Sequence, residues 1–588
     1  MEVYFQIIRD ADSLRKACAE LASEKFLGFD TETTELDPYR GELRLLQFSN
    51  GRNTHVIDLR DFPEPLVNPD LAPLRQILND PAHIKIAHNA KFDVKWVRHH
   101  LGVEIEGIFD TFLASQLIAA GDQDRRHSLA DVAQFFTGTE LDKSQQLSDW
   151  NANELSHSQV EYAARDAAIM VPLRDQVADR VKTDQLDEVA ELEFDCVAPI
   201  AEMEITGFNL DEGRWREQLE KVKIAQAKAA DELQDLLSAG VAQASLFGRA
   251  EINLDSQAQV TDALVNLGVP VPNTTRAWQM QPLAEKYPVV AKLLEYRGVA
   301  KSLSSFGEKI LEHIEPATGR IHADFRQIGA PTGRFSCSNP NLQQIPHEQQ
   351  YRRCFTAPAG RKLVIADYSQ IELRILADFS DDANFIKAFI SGEDFHTTTA
   401  AQVFGVTPEN VSGDQRSFAK RLNFGVVYGI GASRFAMMTG LSQTDAENTM
   451  RRYFGTYRGL DSYLRDSGRR VIAERSARTA SGRMMRLRFE ESDRQQIGAA
   501  KRNGVNMPIQ GTSADILKIA LRLLHDSLRG TSGQLVNIVH DEIIVECDAA
   551  EADETVIKLE TAMRRAGERY VKKVPVNVDV HVADEWAK

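Results

Sequence analysis

Two apolar runs, far apart in the chain, each lead into a carboxylate, and this limits the fold more than any other feature. "LVIA" (363–366) runs straight into Asp367, and in "LVNIVHDEIIVEC" (535–547) the ionisable residues His540, Asp541 and Glu542 interrupt the apolar residues. Runs of this kind read as buried strands. A carboxylate does not stay charged in apolar surroundings unless a cation compensates it. One aspartate of this type is commonly a strand-end cap or a turn former. Two strands that each deliver one are expected to lie side by side, with the acids converging on a cation.

A chain of 588 residues exceeds what one hydrophobic core serves, so two or more domains are expected. No apolar run is long enough to span a membrane, and "MEVYFQIIRDADSLRK" lacks the pattern of a secretory signal, so no membrane partner is expected. The five cysteines form no CxxC pair, which argues against a zinc cage or a disulfide framework and for a reducing compartment. A cytoplasmic location is expected, an organelle staying open if Met1 is not the native start.

The net charge of −17 argues against a polyanionic partner, but its distribution argues otherwise. Residues 1–190 hold 33 acidic against 20 basic residues, whereas residues 465–502 hold 11 basic against 5 acidic. A solvated helix face is the plain reading of that basic segment. The boundary between two parts falls near residue 190, where the acidic excess ends. "KFLGFDTET", "LRLLQFS" and "THVIDL" read as strands, helical patterns dominate from about 70 to 190, and helix-rich sequence continues to about 315. Strand signals return at "RKLVIADYS", at "LVNIVHDEIIVEC", read as one interrupted strand, and at "VPVNVDVHV". The fold class is mixed α/β.

In the first part, Asp30 and Glu32 end an apolar strand two residues apart and so face one side. "HNAKFD" ends in Asp93, and "EYAARDA" places Tyr162 and Asp166 one helical turn apart. Each alone fits an acidic turn or a cap. Together, four carboxylates and a phenol suit two hard, oxygen-liganded metal ions with a hydroxyl left to orient a water. In the second part, Arg416, Lys420, Phe424 and Tyr428 recur at every fourth position of "QRSFAKRLNFGVVYGIG". Each step of four turns a helix by about 40°, so all four share one stripe about 120° wide. A core stripe would not begin with two cations; a triphosphate and a base would use both halves.

The first set resembles the tyrosine-bearing DEDD exonucleases. That resemblance implies a ribonuclease H-like sheet, with Asp30, Glu32, Asp93 and Asp166 as metal ligands and Tyr162 positioning the water for 3′–5′ cleavage. "VIADYSQIELR", "RSFAKRLNFGVVYG" and "VHDE" resemble motifs A, B and C of the family A DNA polymerases, with "PTGRFSCSNPNLQQIP", "DFHTTTAAQVFG" and "NMPIQGTSADILK" in support. The two resemblances cover essentially the whole chain. They imply an exonuclease domain (1–190) and a right-hand polymerase domain (191–588), with thumb about 191–325, palm about 326–378 and 503–588, and fingers about 379–502.

In that frame Asp367, Asp541 and the Tyr368 carbonyl hold the metals, with Glu542 nearby as a further catalytic acid. Arg416, Lys420 and His396 grip the triphosphate, Phe424 lies against sugar and base, and Tyr428 stacks near the template. Glu372 fills the space of a ribose 2′-hydroxyl, and Arg334, Arg502, Asn506, Gln510 and His540 contact the minor groove and the primer end. The basic segment becomes a surface for the DNA backbone. The implied cofactors are two Mg²⁺ ions at the polymerase site and two divalent ions at the exonuclease site, Mn²⁺ or Zn²⁺ being alternatives. The implied partners are primer–template DNA and dNTPs, for a monomer that a processivity factor could assist.

No 5′-nuclease sequence precedes the exonuclease residues, so flap removal is expected to need another protein. Cys337 and Phe335 stand where serine and leucine are common in the family, and Phe424 where some relatives carry tyrosine. Discrimination against 3′-deoxy terminators is therefore expected. A nuclease whose second part only grips substrate, and a DNA-binding scaffold with relic motifs, are the competing readings.

Overall fold

The structure, a computed structural model, describes residues 3–122, 124–146, 148–239, 251–272, 274–346, 348–392, 394–427 and 429–587. Its first sheet contains β1 (Tyr4–Ile8), β2 (Phe26–Thr33), β3 (Leu43–Ser49), β4 (Asn53–Asp58), β5 (Ile84–Ala87) and β6 (Ile108–Asp110), in the spatial order β1-β4-β3-β2-β5-β6. β3 runs antiparallel to its neighbours β2 and β4, while the other pairs are parallel. Two of these strands lie within the stretch expected to be helical. "IKIA" and "IFD" are too short for a period of two to stand out between helices.

Helix α1 (Ala90–Leu101) follows β5, and α2 (His157–Thr183) packs on β2. A capping box between Ser156 and Gln159 starts α2. Gly28 of β2 sets the approach: a Cβ there would lie 2.0 Å from the Ala167 carbonyl oxygen of α2. Backbone therefore meets backbone, and Asp166 is carried down onto the strand that bears Asp30 and Glu32.

The second sheet is antiparallel, built from β7 (Arg361–Tyr368), β8 (Gln534–Val539), β9 (Glu542–Asp548) and β10 (Val578–Ala583) in the order β8-β9-β7-β10. Leu363–Ala366 are fully buried, as expected of a central strand covered on both faces. The segment read as one interrupted strand is a hairpin. His540 and Asp541 form its two-residue turn, with Val539 paired to Glu542 and His540 in the left-handed region at φ 58°. The polar residues thus stand in a turn between two apolar strands, and no Gly or Asn announces it in sequence. This answers the puzzle of a carboxylate inside a strand: Asp541 lies at the sheet's end, beside the end of β7.

The second half also contains α4 (Ile371–Ser380), α5 (Phe395–Phe404), α6 (Gly413–Val427) and α7 (Arg494–Leu528), with α4 packed on α6 and α7 and α5 on α6. The short helix α3 (Asp187–Asp195) joins the two halves through buried charges. Glu193 of α3 accepts from Arg483 and from Lys518, both at 2.5 Å, and Arg483 also pairs with Asp515 at 2.7 Å. Lys518 donates in addition to the Gly333 carbonyl at 2.7 Å. Each buried charge has an opposite partner, the condition under which such a cluster is tolerated and fixes one register. Among the described residues, no helix is long and apolar enough to cross a membrane, and all five cysteines are buried and free.

Candidate functional site

The first cluster lines a cleft of about 1210 Å³. Asp30 and Glu32 come from β2, Asp93 from the first turn of α1, and Tyr162 and Asp166 from α2, so all five predicted residues face one space. Thr31 donates its hydroxyl to Asp93 at 2.6 Å. Burial and the neighbouring carboxylates Asp93, Glu32 and Asp166 raise Asp30 well above the usual carboxylate range. Burial, then Asp166 and Asp93, does the same to Glu32. Burial also pushes Asp93 up to about 7 and Asp166 to about 6, although the Tyr162 hydroxyl donates to Asp166.

Two supports of this cluster were not evident in the sequence. Asp110, buried at the end of β6, accepts from the backbone N–H groups of Asn89, Ala90, Phe112 and Leu113 at 2.8–3.1 Å. It thereby holds the left-handed Asn89 turn (φ 66°) from which α1 and Asp93 start. Lys91 bonds Glu204 and Asp324, both at 2.6 Å, and the Phe325 carbonyl at 2.7 Å. Residues of the second half thus form part of the cleft wall.

The second cluster is at the hairpin tip. The Tyr368 N–H donates to the Asp541 carbonyl at 3.4 Å, joining the ends of β7 and β9. The Asp541 carboxyl shares a hydrogen bond with Asp367; burial and that neighbour push Asp541 up to about 8. Glu542 stands directly across the ladder from Asp367, and its carboxylate accepts from the Trp586 indole N–H at 2.9 Å. Arg352 approaches the same oxygen at 3.5 Å with its guanidinium over the Trp586 ring.

Among the described residues, no group of three or more His, Cys, Asp or Glu side chains is placed to hold a metal ion. The donor set nonetheless fits a hard divalent cation. Both clusters offer only oxygen; in the first the carboxylates raise Asp30 and Glu32, and in the second Asp367 raises Asp541, the kind of instability a divalent cation relieves.

Helix α6 carries Arg416, Lys420 and Phe424 at the predicted spacing, with both cations exposed and Phe424 half-buried. Tyr428, the fourth member of the stripe, lies outside the described residues. His396 on α5 is brought against them, its ring centroid 5.7 Å from that of Phe424. Burial lowers His396 to about 4, helped by Arg416 and Lys420 and opposed by Asp394. Arg416 makes a two-pronged bond to Asp394, both contacts at 2.9 Å.

Arg334 is ion-paired to Glu372 at the start of α4. Arg502, Asn506 and Gln510 lie one turn apart along α7, and His540 is exposed in the hairpin turn. Cys337 makes the contacts open to a serine hydroxyl: its thiol donates to the Pro340 carbonyl at 3.3 Å and accepts from the Leu342 N–H at 3.4 Å.

The sequence profile described as DNA polymerase family A matches residues 220–588, and that described as 3′–5′ exonuclease matches residues 5–182. DNA polymerase I of Aquifex aeolicus is 32% identical, over 99% of this chain and 100% of that protein. DNA polymerase I of Chloroflexus aurantiacus is 31% identical over 99% of this chain and 63% of its own length; that of Pseudomonas aeruginosa is 30% identical over 100% and 66%. The chain therefore spans about two thirds or less of those two relatives. The solved POL domain of Pol1 from M. smegmatis, in complex with DNA primer-template and dNTP, superimposes with a TM-score of 0.84 at 27% identity, covering 99% of each chain.

Proposed function

The chain belongs to DNA polymerase family A and carries a 3′–5′ exonuclease domain, and on that premise we propose which residues perform each reaction. We take residues 1–190 as the exonuclease domain and 191–588 as the polymerase domain, with thumb about 191–325, palm about 326–378 and 503–588, and fingers about 379–502. The polymerase reaction extends a primer 3′ end with dNTPs on a DNA template, and the exonuclease removes nucleotides from the same end.

Asp367, Asp541 and the Tyr368 carbonyl would hold the ions of the polymerase site; Asp30, Glu32, Asp93 and Asp166 those of the exonuclease site. Mg²⁺ is the proposed ion, Mn²⁺ or Zn²⁺ being alternatives. When bound, such ions lower the pKa of the attacking hydroxyl or water and neutralise charge on the phosphate.

The chain's own groups do the remaining work. Arg416, Lys420 and His396 bind the triphosphate, two as cations and His396 as a neutral hydrogen-bond donor. Phe424 lies against the incoming sugar and base, and Tyr428 stacks near the template. Glu372 excludes a 2′-hydroxyl by occupying its place. Arg334, Arg502, Asn506, Gln510 and His540 hold the primer–template from the minor groove, where correct pairs present similar acceptors whatever the sequence. Tyr162 orients the attacking water in the exonuclease. A monomer suffices for both reactions; extension under excess competitor DNA, with and without host extract, tests for a processivity factor.

The observation that carries this reading is the contact between Asp367 and Asp541, acids from separate segments brought together at a sheet end. Primer extension by Asp541→Asn tests it. Synthesis is expected to disappear while 3′ degradation continues, and Asp166→Asn is expected to show the converse. Loss of both activities in either variant would overturn the two-site assignment.

A further inference from the structure

We propose that Asn423 is a positioning residue for the triphosphate site: its amide fixes His396 in the tautomer that carries the proton on Nε2, making that nitrogen a hydrogen-bond donor to the incoming nucleotide's phosphates. This rests on the reading of His396 as a triphosphate ligand.

Asn423 lies on α6, is fully buried, and follows Lys420 by three residues. Its Nδ2 lies 3.0 Å from His396 Nδ1 and 3.2 Å from the Thr399 hydroxyl oxygen, both on α5. The orientation of the amide follows from Thr399. That hydroxyl donates its one proton to the Phe395 carbonyl at 2.9 Å, and its oxygen lies 3.3 Å from the Tyr457 hydroxyl. Toward Asn423 the Thr399 oxygen can therefore only accept, so the group facing it is the amide NH₂. An NH₂ has two protons, and the second goes to His396 Nδ1. A ring nitrogen that accepts is unprotonated, and in a neutral imidazole the proton then sits on Nε2.

Two features keep the ring neutral. His396 is almost wholly buried and feels the cations Arg416 and Lys420, while the opposing carboxylate Asp394 is itself engaged by Arg416. A neutral N–H donor near the exposed cations Arg416 and Lys420 adds a directed hydrogen bond without burying a charge. The opposite tautomer would aim a lone pair at the phosphate oxygens. Among the described residues the remaining Asn423 acceptor, Oδ1, is buried without a partner, so the hydrogen bonds this amide makes there are to α5.

A double-mutant cycle tests the assignment. Asn423→Leu, His396→Ala and the double variant are compared for dNTP KM and kcat in primer extension. Thermal melting and 3′ degradation of single-stranded DNA serve as checks on folding. Asn423→Leu is expected to raise dNTP KM several-fold, up to about tenfold, with kcat changed less than about twofold. The double variant should be no worse than His396→Ala alone, because Asn423 acts through the ring. Additive increases would overturn the proposal. Unchanged dNTP KM in His396→Ala would instead overturn the triphosphate reading beneath it.

If Asn423→Leu does not fold, ¹⁵N-histidine spectra of the intact protein, assigned by the signal missing in His396→Ala, decide the matter. A bare Nδ1 with a protonated Nε2 is expected, and the reverse overturns the proposal.

Discussion

Trp586 donates its indole N–H to Glu542 at 2.9 Å, and Glu542 stands across the β7–β9 ladder from Asp367. The Arg352 guanidinium lies over the same indole ring, 4.3 Å from its centre. A third carboxylate next to the Asp367–Asp541 pair is thus kept in a fixed place by a residue remote in sequence. Trp586→Phe keeps the ring and removes the donor. A buried carboxylate that loses a hydrogen bond costs about 1–3 kcal/mol, so urea unfolding should show a loss of that size. Primer-extension kcat should fall several-fold with 3′ degradation unchanged; equal losses in both activities would count against a local role.

Gly28 makes a sharper test of how the first cluster is assembled. Any side chain there meets the Ala167 carbonyl at 2.0 Å, a backbone atom that cannot swing aside. Gly28→Ala must therefore push α2 off β2, moving Tyr162 and Asp166 away from Asp30 and Glu32. Exonuclease rates should fall by about two orders of magnitude or more, since displacements near 1 Å have that effect on positioned groups. Primer extension, which uses the second sheet, should persist.

The fold was legible where chemistry repeats at a fixed period. The α6 stripe is visible because charges and an aromatic at four-residue spacing resist a core reading, and Asp30 with Glu32 because a period of two puts both on one face. The residues that hold these groups were not legible. Asp110, Lys91, Asn423 and Trp586 act through contacts with residues distant in sequence, and each is an ordinary residue type in an ordinary context. Asp110, for instance, looks like any helix cap in "IFDTF", and its bonds to Asn89 and Ala90 appear only once β5 and β6 are side by side. The hairpin at His540–Asp541 was misread for the opposite reason: the apolar residues on both sides continue the strand pattern through a turn that lacks the usual turn residues.

The exonuclease carboxylates predict a pH dependence in chelator-treated protein. Asp93 and Asp166 are raised from 3.8 to about 7 and about 6. A carboxyl with a folded-state value above its unfolded one makes the folded chain the better proton binder, so stability falls as pH rises through that window. With EDTA, melting should occur at a lower temperature at about pH 7.5 than at about pH 5.5, and Asp93→Asn should flatten the difference. Added Mg²⁺ should raise the melting temperature more at the higher pH, where the carboxylates are ionised and able to bind it. A stabilisation by Mg²⁺ of equal size at both pH values would contradict this account.

On the roles proposed for them, the ion pair between Arg334 and Glu372 links primer contact to sugar selection. Arg334 is assigned to the primer end and Glu372 to the space of the 2′-hydroxyl, so neither can serve DNA fully while engaged with the other. The pair is partly open to water, with side chains 43% and 12% exposed, and pairs of that kind contribute about 1 kcal/mol or less. Glu372→Ala should therefore release Arg334 and tighten primer–template binding, but by no more than about fivefold, as anisotropy titration would measure. The same variant removes the group proposed to block a ribose, so incorporation of rNTPs relative to dNTPs should rise by on the order of tenfold or more in single-nucleotide extension. Phe424→Tyr should leave that ratio unchanged and instead admit 3′-deoxy terminators, because it adds a hydroxyl to the residue proposed to lie against the sugar. If Glu372→Ala weakened DNA binding, the ion pair would be a support for Arg334 and not a competitor of the primer.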